Sequence, residues 1–290
     1  MFPRAPDQHK PNRPLVPNGL GVFYVMISVV YIFLLYFFGV KNVANGISAP
    51  LTLAACILFG GFMGLLDDWI DLKWRYKAFL PLIAAIPLVT FASKVGARTS
   101  IALPLLGSID FGPIYYFIII PVLVTIITNT VNQLGGLNGL ETICPAIIMI
   151  GLMSISGSFA ILLLCPLIVW LILAFFNFRG RIFVGNTGSF AIGITLAAFA
   201  IISDLKTDLV ISVLPYIFNS AVILLTFFLY RTKAKVSFDG KRLKSDHRRS
   251  LITLITFNRP LTERQIVIVI SLLVAATTFT AVLSKILLNL

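Results

Sequence analysis

Four stretches of this chain, 19–40, 182–203, 209–230 and 265–284, contain no Asp, Glu, Lys or Arg. A helix needs about 20 apolar residues to cross a hydrocarbon core of about 30 Å, and each stretch is long enough. Soluble domains do not sustain uncharged runs of this kind, so these runs decide the fold class. Residues 47–66 form a further window, and 78–93 a shorter one with Pro81 and Pro87, which membrane helices tolerate better than soluble ones do. The uncharged stretch 111–140 is too long for one helix. Its Asn- and Gly-rich end, 129–140, reads as a loop or helix terminus, which leaves 114–130 as the span. The 37 uncharged positions of 142–178 divide at 154–158, giving 141–155 and a following span. The expectation is an all-α, polytopic membrane helix bundle of about nine transmembrane helices, with 1–290 as one membrane domain.

Composition agrees. Only 12% of the residues are charged, about half the usual share of about 25%, and the mean hydropathy is +0.99. A disordered chain is excluded, and the composition argues against a water-soluble enzyme. The net charge of +12 does not point to nucleic acid, because a basic groove needs a polar surface to sit on. Instead the cations crowd into short loops. With the N-terminus in the cytoplasm, alternating spans put 18 of the 23 Lys and Arg on the inner side, ten of them in the loop 231–264. Lys41, Lys94, Arg98, Lys206 and Lys285 fall outside. This is the asymmetry of a multi-pass protein with its basic loops inside. Residues 1–18, with five prolines and both charge signs, form a cytoplasmic loop and not a signal peptide. Residues 99–113 alternate apolar and polar around Pro104 and Gly107, which predicts an outer hairpin. Cys56, Cys144 and Cys165 lie in apolar stretches without metal-ligand spacing, so they read as small apolar residues.

Four polar clusters fall on the inner side. The first is Asp67-Asp68-Trp69-Ile70-Asp71-Leu72-Lys73-Trp74-Arg75-Tyr76-Lys77. Adjacent carboxylates repel unless a cation or a shared proton relieves them. The run is either a charge-balanced solvated loop or a cation-dependent site, and acidic residues at a span end point to the second. In the next, Asn129 to Glu141, Asn129, Asn132 and Asn138 stand among three glycines, between two apolar helices. Such a segment is either a plain turn or a place where backbone approaches a ligand. The third, Arg179-Gly180-Arg181-Ile182-Phe183-Val184-Gly185-Asn186-Thr187-Gly188-Ser189, opens a helix with glycines, where free backbone amides could hold phosphate oxygens. The last is the basic loop 231–264 with His247, either an anchor on anionic lipid or part of a site. Together, carboxylates for Mg²⁺, cations for phosphate and a site at the membrane surface suit phosphoryl transfer between a nucleotide and a lipid phosphate.

The run from Gly64-Leu65-Leu66-Asp67-Asp68 to Lys77, the segment Asn129 to Glu141, and Phe183-Val184-Gly185-Asn186-Thr187-Gly188 resemble three motifs of one superfamily. These are the polyprenyl-phosphate N-acetylhexosamine-1-phosphate transferases, glycosyltransferase family 4. The opening, with Asp7, Lys10, Pro14, Pro17 and Gly21, is similar to the family's first cytoplasmic loop. Trp74-Arg75-Tyr76-Lys77, Asn138-Gly139-Leu140-Glu141 and Pro260-Leu261-Thr262-Glu263-Arg264 lean towards the dolichyl-phosphate, GlcNAc-using branch. The resemblance covers nearly the whole chain.

What the resemblance implies is a transfer of N-acetylhexosamine 1-phosphate from a UDP-N-acetylhexosamine to polyprenyl or dolichyl phosphate, with release of UMP. Asp67, Asp68 and Lys77 would be catalytic. Asp68, Asn132 and Asn186 match the positions of the family's ligands for Mg²⁺, which Mn²⁺ can replace. Lys10, Asn129, Asn138, Glu141, Phe183, His247, Arg248 and Arg249 would bind substrate, with Phe183 and Asn138 at the uracil. The active site would face the cytoplasm at a prokaryotic plasma membrane, or at the ER membrane in a eukaryote, among membrane lipids. A homodimer is compatible with the family, and nucleic acid is not a partner. Departures are visible too. Family members usually have ten spans, and this chain starts where the second is expected. The family's Gly-Asp-Thr is Gly185-Asn186-Thr187 here, the acidic residue after the first-loop proline is Asn18, and the His-rich motif is reduced to Asp246-His247-Arg248-Arg249. An inactive homologue that binds lipid or nucleotide is therefore the rival reading. A transporter would spread its charges through the span middles, and the signature of CDP-alcohol transferases is not present.

Overall fold

The computed structural model describes residues 2–40, 43–44, 46–103, 107–231 and 234–288. Each of the nine apolar windows coincides with a helical segment. In chain order these are α1 (Gly21–Phe37), α2 (Ala49–Ile70), the pair α3 (Trp74–Ala84) and α4 (Ile86–Val95), and α5 (Ile120–Gln133). There follow α6 (Leu140–Ile155), α7 (Ile161–Phe178), α8 (Gly185–Ile202), and the pair α9 (Lys206–Ser212) and α10 (Leu214–Tyr230). A short α11 (Leu251–Ile255) precedes α12 (Glu263–Leu288). Among the described residues, six segments are long and apolar enough to cross a membrane, and α9 with α10 makes a seventh that is bent by 60°. The bend falls where Pro215 opens α10, because proline lacks the N–H that would continue the helix. α1 and α6 are apolar but shorter, at 17 and 16 residues, or about 25 Å at 1.5 Å per residue. The chain is an integral membrane protein.

α8 is the centre of the bundle. Its side chains are buried from Thr187 through Ile202, and it packs against α2, α5 and α1. Small residues permit this. A methyl group on Gly64 of α2 would stand 2.2 Å from the Asn186 carbonyl oxygen, and one on Gly21 would stand 2.2 Å from the Gly188 Cα. Backbone therefore meets backbone at the start of α8, as small residues allow between membrane helices. Deeper in the bundle, the Tyr24 hydroxyl donates to Thr195 Oγ1 at 2.9 Å, which satisfies a polar group that lipid could not.

Strand is confined, among the described residues, to four two-stranded antiparallel ribbons. The N-terminal loop is more ordered than expected: β1 (Arg4–Pro6) pairs with β2 (Leu15–Pro17), folding residues 4–17 back on themselves. β3 (Val43–Ala44) pairs with β4 (Ile47–Ser48). The expected outer hairpin is present as β5 (Ser100–Leu103) with β6 (Gly107–Asp110), and Pro104 lies outside the described residues, as do Lys41 and Lys233. β7 (Ser237–Phe238) pairs with β8 (Leu243–Lys244) inside the basic loop. One correction concerns α5, which continues to Gln133 and so places Asn129 and Asn132 on the helix. Asn129 Nδ2 donates to the Thr125 carbonyl at 2.9 Å, one turn back on the same helix. Lys206 is not a surface cation but is buried, held by Asp204 Oδ1 at 2.6 Å and lying over the Tyr115 ring.

Candidate active site

The site begins where α2 ends. The Asp67 side chain is fully buried; its Oδ1 receives the Leu72 N–H at 2.9 Å and the Lys77 Nζ at 2.8 Å. Lys77 sits in the first turn of α3 and reaches back across the corner, also pairing with Asp71 at 3.4 Å. The other oxygen, Asp67 Oδ2, is buried without a hydrogen-bond partner among the described residues. A carboxylate oxygen left in that state is costly, which marks a place for a cation or a proton donor.

Asp68 points the other way, into the start of α8. Its Oδ1 accepts from the Asn186 N–H at 2.9 Å, and its Oδ2 accepts from the Thr187 N–H at 2.9 Å and the Thr187 hydroxyl at 2.7 Å. The first amides of a helix lack partners within it, and the dipole there favours an anion. Gly185, at φ +69°, makes the turn, and a methyl on it would stand 2.8 Å from Asp68 Oδ2. Here the structure changes an expectation. The glycine-rich turn has amides that could hold phosphate oxygens, yet two of them already hold Asp68. The physical reason is that α2 delivers a carboxylate to the same positive helix end.

Asn132 joins from α5: its Oδ1 accepts from the Ser189 hydroxyl at 2.7 Å. Asn186 is half-buried beside the Asp68 contacts. Glu141, in the first turn of α6, lies within electrostatic reach of Asp68, and its carboxyl group is the surface against which Gly135 packs. Asp67, Asp68, Lys77, Asn132, Asn186 and Glu141 thus gather from five helices at one end of the bundle.

Two cavities flank the turn that leads into α8. One, of about 340 Å³, is lined by Asp7, His9, Leu137, Glu141, Asn177 and Phe183. The other, of about 350 Å³, is bounded by Phe2, Asn18, Val22, Leu65, Asp68 and Trp69, and is mostly apolar with Asp68 at its edge. Asn138 is buried beside the first cavity, with both amide hydrogens engaged by Asp7 Oδ2 at 2.8 Å and Glu263 Oε1 at 3.0 Å. Lys10 pairs with Glu263 Oε2 at 3.0 Å.

The cationic part of the basic loop makes contacts of its own. His247 Nε2 accepts from the Lys235 N–H at 3.3 Å, Arg248 stacks on the Phe257 ring, and the Arg249 N–H donates to Thr253 Oγ1 at 2.8 Å. With Lys235, Lys244 and Asp246, His247 and Arg249 line a cavity of about 640 Å³. Among the described residues, no hydrogen bond or ion pair joins His247, Arg248 or Arg249 to Asp67, Asp68 or Lys77.

The sequence places Thr187 and Ser189 in the glycine-rich cluster without a role for their hydroxyls, and it does not single out Asn177. Asn177 Oδ1 accepts from the Gly139 N–H at 2.8 Å, while its Nδ2 donates to the Ile182 carbonyl at 2.9 Å. Its signal was present: it is the single amide side chain in the uncharged run 142–178.

A polytopic bundle with adjacent carboxylates, one paired with Lys77 and the other locked to a glycine-rich helix start between a polar and an apolar cavity, has the makeup of a membrane-embedded transferase. The comparisons agree on the family. The model for glycosyl transferase family 4 matches residues 50–204. A Saccharolobus solfataricus protein, named provisionally as a UDP-N-acetylglucosamine–dolichyl-phosphate N-acetylglucosaminephosphotransferase, is 31% identical over 274 residues, covering 91% of this chain and 82% of its own. The Saccharomyces cerevisiae protein of that name is 26% identical over 73% of this chain and 58% of its own. The phospho-N-acetylmuramoyl-pentapeptide-transferase of Clostridium perfringens is 27% identical over 76% of this chain and 71% of its own. The chain belongs to glycosyl transferase family 4.

Proposed function

We propose that this chain transfers N-acetylglucosamine 1-phosphate, or a related N-acetylhexosamine 1-phosphate, from a UDP-sugar to polyprenyl or dolichyl phosphate. An oxygen of the lipid phosphate attacks the sugar-linked phosphorus, the bond from that phosphorus to the oxygen bridging it to the UMP phosphorus breaks, and UMP leaves with that oxygen. The observation that carries this reading is the placement of Asp68. It stands with its partner Thr187 at the edge of an apolar cavity suited to a lipid phosphate, and the same turn, through Phe183, reaches the polar cavity that Glu141 also lines. The names of the relatives support the substrate classes. The basic loop supports a cytoplasmic site.

In this reading Asp68 orients the incoming lipid phosphate and accepts its proton. Lys77, released in part from Asp67, neutralises the diphosphate, and Phe183 covers the uracil in the polar cavity with Asn138 beside it. Lys10, Asn129, His247, Arg248 and Arg249 remain substrate-binding candidates, the last three requiring the basic loop to close over the sugar. The donor types also suit a hard divalent cation: Asp67 Oδ2 is a buried orphan, Asp68 and Asn132 would hold the ion by exchanging their present hydrogen bonds with Asn186 N–H, Thr187 and Ser189 for it, and Asn186 offers a further oxygen. Mg²⁺, or Mn²⁺ in its place, would supply charge neutralisation at the phosphates.

Purified chain should release UMP when given UDP-GlcNAc, a polyprenyl phosphate and Mg²⁺, and faster than with UDP-MurNAc-pentapeptide. No release with either donor would leave a binder without turnover, the reading that Asn18 and Asn186 favour. Asn186→Asp probes the metal. An Asn carbonyl brings a dipole where a carboxylate brings a full charge, so the substitution should lower the Mg²⁺ concentration for half-maximal rate. An unchanged Mg²⁺ dependence in an active enzyme would remove Asn186 from the metal site.

A further inference from the structure

Glu263 is the first residue of α12, and an acidic residue there is explained in part by the helix dipole. The dipole does not explain where its oxygens go. Oε1 receives both the Asn138 backbone N–H at 2.7 Å and Asn138 Nδ2 at 3.0 Å, and Oε2 receives Lys10 Nζ at 3.0 Å. The residue is 9% exposed, and its partners lie 125 and 253 positions away in the chain. Asp7, at 3% exposure, takes the other amide hydrogen of Asn138 at 2.8 Å. Two buried carboxylates therefore clamp one carboxamide from opposite segments, with Lys10 as the compensating cation.

The clamp fixes more than Asn138. Gly139 follows at φ +99°, a conformation that favours glycine. Its N–H is held by Asn177, whose other end holds the Ile182 carbonyl next to Phe183. Asp7, Leu137, Asn177 and Phe183 are all wall residues of the polar cavity. The start of α12 thus holds the segment that forms one wall, and no atom of Glu263 lines the cavity itself. A helix that needed only a favourable charge at its N-terminus would have no use for these contacts.

We propose that Glu263 is a positioning residue for the nucleotide end of the substrate, acting through Asn138, Gly139 and Lys10. The proposal rests on the nucleotide reading of the polar cavity. It concerns binding and not chemistry, so it predicts a split between KM and kcat.

The experiment compares the full-length chain with Glu263→Ala and Glu263→Gln. Kinetics are measured with UDP-GlcNAc and polyprenyl phosphate, and binding with UMP alone by calorimetry. Glu263→Ala should raise KM for UDP-GlcNAc and the Kd for UMP about tenfold, with kcat within about threefold and KM for the lipid within about twofold. Glu263→Gln keeps an oxygen that can accept from Asn138 but loses the Lys10 ion pair, so it should recover part of the loss. If the alanine variant does not fold, the isosteric glutamine variant carries the test alone, with an expected rise of about threefold in both constants. An unchanged KM and Kd would overturn the proposal, as would a loss confined to kcat or shared equally by the lipid. The two readings fail separately. Wild-type chain that binds UMP but releases none would sink the proposed reaction, while weaker UMP binding in Glu263→Ala would still uphold the positioning role. Wild-type chain that does not bind UMP would overturn both.

Discussion

Asp68→Asn is expected to cut UMP release by at least about 100-fold, the lower range for losing a group that handles a proton in the transition state, while the chain stays folded. The carboxylate accepts three hydrogen bonds from the start of α8. An asparagine can accept through one oxygen only, and its NH2 would face an N–H donor. The stability cost should resemble a lost helix cap, about 1 kcal/mol, which a thermal midpoint measured beside the activity would detect. A large activity loss with a small stability loss is the expected pairing. Near-normal turnover would take the proton-accepting role away from Asp68 and leave it as a cap for α8.

Lys77→Ala is expected to lose both rate and stability, and the two losses can be separated. A charge-assisted contact to a phosphate is worth about 1.5–3 kcal/mol, roughly 10- to 150-fold in rate. Removing Lys77 also strands the Asp67 carboxylate, whose side chain is fully buried. Breaking a buried pair on one side costs about 3–5 kcal/mol, and less here because Lys77 keeps 26% of its side chain exposed. The double change Lys77→Met with Asp67→Asn removes both charges and should restore much of the thermal midpoint. It should not restore UMP release. Recovery of activity in the double variant would show that the ion pair serves the α2–α3 corner alone.

The spans were legible in the sequence because lipid imposes one rule over long windows: an uncharged run must be helical and must be buried or lipid-facing. Local departures depended on side chains that the rule ignores. α5 runs past its expected end, and there the Asn129 amide bonds the Thr125 carbonyl one turn back on the same helix. The 1–18 loop is a ribbon because strand pairing between β1 and β2 does not require long apolar runs. At the site, the importance of Asp67 and Asp68 followed from their scarcity and adjacency, but their opposite directions did not. Helical neighbours point about 100° apart, so one faces Lys77 and the other faces α8. That Gly64 brings the α2 backbone against Asn186 is a contact between residues 122 positions apart, beyond what spacing along the chain can reveal. The partners of His247, Arg248 and Arg249 were equally hidden, since a basic loop does not disclose which groups it folds against.

The proposed chemistry breaks the bond from the sugar-linked phosphorus to the bridging oxygen of the diphosphate and keeps the linkage between sugar and phosphate. UDP-GlcNAc carrying a radioactive phosphorus next to the sugar tests this most directly. Incubated with the purified chain, Mg²⁺ and polyprenyl phosphate, the label should move into the lipid fraction, matched mole for mole by unlabelled UMP. Label that stays in the nucleotide as UDP while the sugar moves to the lipid would contradict the account, because the chain would then transfer a hexosyl group and not a hexosamine phosphate.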